Sequence, residues 1–463
     1  MPVPVPVAIV IPGIMGSELK LGERLIWPGP ASSLILPYTL MDELLEPDLE
    51  ATGIIRSFSI SEQYNALIRD LTTCGFRLDA KPPTLRLFPY DWRKSIVGAS
   101  ERLAVRIGEI ATEFRGECTI SLIAHSMGGL VSRYYLESGR FDRQPGFDRI
   151  ERLITMGTPH RGATLALQAI LGQIRRLFLS REQVKRLAND PLYPSVYQLL
   201  PPSDEPFLWD EQATTGYEPL RLEDFADELH LRRSSLESAR EFQSSLDVQK
   251  RPRRVRYFFC VGSTQTTACA ALLLRRDKQA PRVRGVEQED AGDGTVPISS
   301  GALTGIQSRP VGGEHGSIYK DIDLRATLAI LLGYRGVLAT RESVNQINVR
   351  EPVVEPGDPV RVTLIPATAA QSIEGQLEFA RFIEKNGTYV PTPAKPVVVT
   401  YSGPAAEKLS VVLKAPPDAG IYRLMFIERG AARPSATDDV FVQEPAGMEL
   451  PLSITPETDS PLQ

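Results

Sequence analysis

The sequence predicts a two-part protein, an α/β unit built on a mostly parallel sheet with helices on both faces, followed by a small all-β sandwich. Three observations carry this. Strand-like apolar runs alternate with helical patterns from about residue 7 to 338. A Leu- and Arg-rich stretch from about 164 to 250, broken by Pro191, Pro194, Pro201, Pro202 and Pro206, interrupts the alternation and reads as a helical cap inserted between two strands. After about Ala339, short β-rich runs follow at sandwich-like intervals.

Taken in order, strands are predicted at Val7–Ile11, Thr84–Phe88, Thr119–Ala124, Ile150–Met156 and Val255–Val261. Between them, Tyr64, Leu67, Ile68 and Leu71 repeat at helical spacing, as do Leu103, Ile107, Ile110, Ala111 and Phe114. Each set lays one apolar stripe on a sheet, and a helix at about Asp321–Leu332 is expected to close the unit. The sandwich strands are expected at Val360–Ile365, Val397–Tyr401, Leu409–Leu413, Ile421–Ile427 and Asp439–Val442. Within them, Asp418-Ala419-Gly420-Ile421-Tyr422 has the D-x-G-x-Y pattern of the tyrosine corner of immunoglobulin-like domains. The expected division is 1–338 for the α/β unit with its cap, 350–447 for the sandwich and 448–463 for a flexible tail.

Composition narrows the classes. With 42% hydrophobic and 24% charged residues the 463-residue chain is globular, and disordered, collagen-like and membrane-bundle descriptions fail. A net charge of −5 is too mild for a nucleic-acid platform. Cys74, Cys118, Cys260 and Cys269 show neither metal-ligand spacing nor disulfide density, so no metal site is expected and nothing suggests a cofactor. The amino terminus lacks a basic n-region, and no 18-residue apolar run occurs, so a cytoplasmic location is expected.

The sharpest local signal is Thr119–Ala124 followed at once by His125-Ser126-Met127-Gly128-Gly129 and an apolar helical run. A strand, a sharp turn carrying serine and a helix make a nucleophile elbow, with Ser126 exposed above the sheet and the amide of Met127 aimed at the same spot. Serine needs a base, itself oriented by an acid. Of the four histidines, His125 adjoins the serine and must point elsewhere, His160 comes too early in the chain, and His230 sits in a charged, solvated stretch. His315, in a Gly-rich turn before the last helix, is left as the base. Asp293, flanked by Gly292 and Gly294, falls between serine and histidine as the fold's order requires; Asp290 is its main competitor. The second oxyanion donor is expected after the first strand, where Gly13 lets the backbone approach and the amide of Ile14 points in.

Several strings together resemble one family, the lecithin:cholesterol acyltransferases and their phospholipase relatives: Val10–Ser17, Phe88-Pro89-Tyr90-Asp91-Trp92-Arg93, the elbow, Gly157-Thr158-Pro159, Ser195–Pro201, Gly292–Pro297 and Glu314-His315. The resemblance implies an α/β-hydrolase fold, a helical cap and acyl transfer from a lipid ester, with Ser126, Asp293 and His315 as the triad, Ile14 and Met127 as oxyanion donors, and Asp91 and Arg93 as a structural pair. Animal members carry a disulfide-held lid early in the chain, whereas Ser33–Met41 here has no cysteine. An acyl chain needs an apolar trough, for which Trp27, Leu36, Tyr38 and the Leu165–Leu179 region are candidates. The expected partner is a lipid or other acyl ester, with peripheral membrane contact through Lys250, Arg251, Arg253, Arg254 and Arg256 as a weaker expectation. The reading from another class is a non-catalytic scaffold whose sandwich binds a protein or glycan.

Overall fold

Successive residues of a strand point to opposite faces, so an uninterrupted apolar run forms only where both faces are covered. Val5–Ile11 is such a strand: Val7, Ile9 and Ile11 enter one apolar cluster, Ala8 and Val10 the other. The computed structural model describes residues 3–445 apart from 59–60, 213–218, 276–280, 337, 339–344, 386–387 and 393–395. The expected tail, 448–463, lies outside them.

The central sheet comprises β1 (Val5–Ile11), β2 (Leu85–Leu87), β3 (Cys118–His125), β4 (Ile150–Met156), β5 (Arg256–Gly262) and β6 (Gln307–Val311). Its order is β6-β5-β4-β3-β1-β2, with every neighbouring pair parallel. The helices that position the site are α1 (Asn65–Thr73), α2 (Ile96–Glu113), α3 (Met127–Glu137), α4 (Thr164–Ile170), α5 (Arg181–Ala188), α6 (Arg233–Ser244) and α7 (Ile322–Leu331). Leu67 and Leu71 of α1 and Leu324 and Leu328 of α7 cover one face of the sheet; Leu103 and Ile107 of α2 and Leu130 and Val131 of α3 cover the other. Side-chain caps start three of these helices: Ser95 for α2, Ser180 in a capping box with Gln183 for α5, and Asp321 for α7.

The sequence reading missed β6 because only Val311 of its five residues is buried, so an edge strand with exposed Gln307, Ser308, Arg309 and Pro310 shows no apolar pattern. It also missed the antiparallel hairpin Gln265–Leu274 and Arg282–Gly292, which runs out from the sheet and returns to deliver Asp293. The cap, expected to be helical, also contributes the short strand Leu208–Asp210, which pairs with that hairpin.

Each expected sandwich strand is present, and a long strand, Ala370–Lys385, joins them by pairing with both Val397–Ala406 and Gly420–Glu428. The tyrosine corner forms, with Tyr422 Oη donating to the Asp418 carbonyl at 2.8 Å. The sandwich has its own core of residues such as Val360, Leu377, Leu424 and Val440. Ile421 and Phe441, however, belong to the apolar cluster of the α/β unit. Gln443 completes the junction: its Nε2 donates to the carbonyls of Ser33 and Leu36, both at 2.9 Å, and its Oε1 accepts from Arg175.

Candidate active site

At the end of β3 the chain turns so tightly that Ser126 takes φ 52°, ψ −128°, a conformation that costs a non-glycine residue of order 1–3 kcal/mol. The strain persists because the surroundings hold the turn: Ser126 N–H donates to the Met156 carbonyl, and Thr158 Oγ1 donates to the Ser126 carbonyl. Close approach also explains a glycine. A methyl group on Gly13 would lie 2.7 Å from Ser126 Cβ, so only glycine lets the loop after β1 come this near the serine.

The three residues singled out from the sequence converge. His315 Nε2 lies 2.8 Å from Ser126 Oγ, and His315 Nδ1 lies 2.8 Å from Asp293 Oδ2. The His315 N–H also donates to the Asp293 carbonyl at 2.9 Å, so backbone and side chain of the aspartate hold one histidine. Burial opposes ionisation of Asp293, but its electrostatic interaction and hydrogen bond with His315 and the amides of Val296 and Thr295 outweigh it and hold its carboxyl below the ordinary range. Asp290 does not reach the histidine and pairs with Lys408 of the sandwich. The amides of Ile14 and Met127 donate to no acceptor among the described residues, and both residues flank the serine.

His125 points away from the serine, as adjacency demands, and joins a second buried chain of hydrogen bonds. Its Nε2 is 2.8 Å from the His315 carbonyl, its Nδ1 is 2.6 Å from Tyr64 Oη, and Gly13 N–H donates to the same oxygen at 2.9 Å. Burial, and then the electrostatic interaction with His315, lower the pKa of His125 to about 3, so the ring is neutral. A carbonyl can only accept, so Nε2 carries the proton, Nδ1 accepts, and Tyr64 donates to it. The sequence reading took Tyr64 as one more residue of an apolar helical stripe. Its hydroxyl, set among apolar neighbours with no water to bond, was the available signal.

Beside Ser126 and His315 lies an apolar trough of about 90 Å³, walled by Leu165, Ala166 and Ala169 of α4 and by Val184 and Leu187 of α5. The Leu165–Leu179 region thus supplies wall residues. Trp27, Leu36 and Tyr38 do not line this trough. Trp27 and Tyr38 are packed in the core, each against Phe178 with ring centroids 4.7 and 5.8 Å away, because large aromatic rings gain most contact inside; Leu36 lies at the sandwich junction. Arg176, which the sequence reading did not single out, also lines the trough, its Nη2 3.5 Å from Thr295 Oγ1.

The remaining candidates fall into structural roles. Asp91 and Arg93 form a buried pair (2.7 and 2.9 Å) whose guanidinium also donates to the Leu44 and Glu46 carbonyls and stacks 4.4 Å over Tyr193, tying the loop before α2 to the cap. His160 stacks on Phe259 at 3.8 Å, away from the serine, and His230 is exposed. Arg254 lies over Phe147 and Arg251 over Tyr257, so these members of the basic stretch pack on the protein's own surface. Among the described residues no helix is long and apolar enough to cross a membrane.

The parallel sheet with helices on both faces and the strained strand-turn-helix at Ser126 define an α/β-hydrolase fold. Residues 49–245 match the model of the lecithin:cholesterol acyltransferase family, which bears out the resemblance seen in the motifs; Asp293 and His315 lie beyond the matched stretch. An uncharacterized protein of Saccharomyces cerevisiae is 40% identical over 62 residues, 13% of this chain, and the chain spans about a tenth of that relative's length. Among solved structures, the Tle4–Tli4 complex is 14% identical with a TM-score of 0.49, covering 72% of this chain and 98% of that one. Phospholipase PlaB from Legionella pneumophila is 12% identical with a TM-score of 0.34 and 98% of each chain covered. The lipase BlEst2 of Bacillus licheniformis is 15% identical with a TM-score of 0.32, covering 72% and 91%.

Proposed function

We propose that this chain is a lipid acyl-ester hydrolase or O-acyltransferase that works through an acyl-Ser126 intermediate. The observation that carries the reading is the unbroken line from Ser126 Oγ through His315 to Asp293, 2.8 Å at each step, opening on an apolar trough. Ser126 Oγ attacks the ester carbonyl carbon while His315 Nε2 takes its proton; Asp293 holds the Nδ1–H and offsets the imidazolium charge. The amides of Ile14 and Met127 receive the oxyanion. The proton then passes from His315 to the departing alcohol, and water or a second alcohol, deprotonated in turn by His315, releases the acyl group.

The test is turnover of p-nitrophenyl esters and phospholipids by wild type and Ser126→Ala, with and without an alcohol acceptor. Ser126→Ala should lose at least ~10³-fold in kcat, and a fluorophosphonate should label Ser126 in the wild type. New ester formed from the acceptor identifies the transferase, free acid the hydrolase. Equal rates in the two proteins would sink the reading and favour the scaffold.

A further inference from the structure

Met15 borders two apolar spaces. On one side is the trough at Ser126; on the other is a chamber of about 110 Å³ whose lining includes Met15, Trp27, Leu34, Phe178, Val353 and Phe441. We propose that this chamber takes the distal part of the substrate's acyl chain, and that the C-terminal sandwich, which supplies Val353 and Phe441, thereby sets the chain length accepted. The inference rests on Ser126 being the acyl-accepting nucleophile.

Continuity is the first argument. Met15 follows Ile14, whose amide faces the reacting carbonyl in the reading above, and Met15 is the residue that lines both spaces. A chain leaving that carbonyl along the loop therefore meets the Met15 side chain. The backbone there is fixed: Met15 has φ 61°, and its carbonyl accepts from Trp27 Nε1 at 2.9 Å. The residue the two spaces share carries a flexible, unbranched thioether, which moves aside at little cost. Joining the two spaces more than doubles the apolar room beside the serine.

Chemistry is the second argument. Indole, phenyl and aliphatic groups make up most of the wall; of its polar members, Gln63 and Tyr64, the Tyr64 hydroxyl is already used by Gly13 and His125. A mostly apolar lining of this kind favours hydrocarbon over polar groups.

The third argument is that the sandwich wall is anchored. Val353 and Phe441 are register partners on adjacent parallel strands, Phe441 lies in the core of the α/β unit, and Gln443, two residues on, grips the Ser33 and Leu36 carbonyls. Leu177, which is 39% exposed, also lines the chamber and brings its rim to the surface, where a longer chain can emerge.

The experiment measures kcat/KM for p-nitrophenyl butyrate, octanoate and hexadecanoate with wild type, Val353→Phe and Val353→Ala. Filling the chamber with Val353→Phe should leave butyrate within about twofold and lower hexadecanoate by about tenfold or more. Val353→Ala should shift the preference the other way, and it decides the matter if the larger residue prevents folding. A ratio of long- to short-chain rates that neither variant changes overturns the chamber. Ser126→Ala separates the two claims: if it abolishes butyrate hydrolysis while the ratio stays fixed, the chamber falls and the nucleophile stands. If Ser126→Ala is as active as wild type, both fall.

Discussion

Tyr64 Oη donates to His125 Nδ1 across 2.6 Å while accepting the Gly13 N–H, so one phenol at the N-cap of α1 ties the loop before Ile14 to the ring that supports the His315 carbonyl. The two halves of the candidate site, oxyanion loop and base loop, are thereby held at a fixed separation. Tyr64→Phe keeps the packing against Tyr319, whose ring centroid is 5.2 Å away, and removes only the bridge. Two buried polar groups are then left unpaired, at about 1–3 kcal/mol each. The expected outcome is a lower melting temperature and a kcat reduced by about 10–100-fold with KM little changed. Steady-state kinetics beside calorimetry checks this, since a purely structural role would leave kcat per folded molecule intact.

Gly157 has φ 57°, and a methyl group there would lie 2.7 Å from Asp293 Oδ2 and 3.3 Å from His315 Nδ1. Gly157→Ala should therefore push the carboxylate off the histidine and cost about 100-fold or more in kcat. Gly139 is the control: its φ is 73° with nothing within 4 Å, so Gly139→Ala incurs the left-handed backbone cost of about 1–2 kcal/mol without touching the site. Equal activities of the two variants would refute the clash.

Asp438 of the sandwich is half-buried, and desolvation lifts its pKa to about 6 although the Val349 and Asp439 N–H groups donate to its carboxylate. The folded state thus holds this proton more tightly than the unfolded chain, whose aspartates titrate near ~3.9. The stabilising contribution is complete below the unfolded value and is lost as pH rises through about 6. Burial lifts Glu314, next to His315, in the same direction. Asp438→Asn cannot ionise, so its stability relative to wild type should improve between pH 4 and pH 8, on the order of 2 kcal/mol. Thermal unfolding at the two pH values measures it.

Removal of residues 346–463 should not yield a stable α/β unit. The deletion strips Ile421 and Phe441 from its core, opens the chamber beside Trp27 and Leu34, and leaves the Ser33 and Leu36 carbonyls without Gln443. Aggregation, or a large drop in melting temperature with weakened fluorophosphonate labelling, is expected. A truncated chain as soluble and as reactive as the full one would show that the junction is dispensable.

Much of the α/β unit was legible because its strands are buried on both faces and its helices on one. Val7–Ile11, Ile150–Met156 and the stripes of α1 and α2 are patterns that burial imposes directly on residue type. The edge strand β6 left no such mark, since solvent covers most of its side chains. Trp27 and Tyr38 were ambiguous for a related reason: an aromatic residue suits a lipid-binding wall and a protein core equally, and only the neighbours decide.

The sequence by itself determined the elbow, the order Ser126, Asp293, His315 and the glycines that let the chain turn and approach there, because local backbone geometry and chain order demand those residue types at those places. Tertiary structure alone decided what lies against them. That Tyr64 reaches His125, that Arg176 faces the trough, and that Val353 and Phe441 wall a chamber behind Met15 all depend on segments far apart in the chain meeting across a packed interface. Such meetings are set by shape and burial summed over the whole fold, and no short run of residues records them.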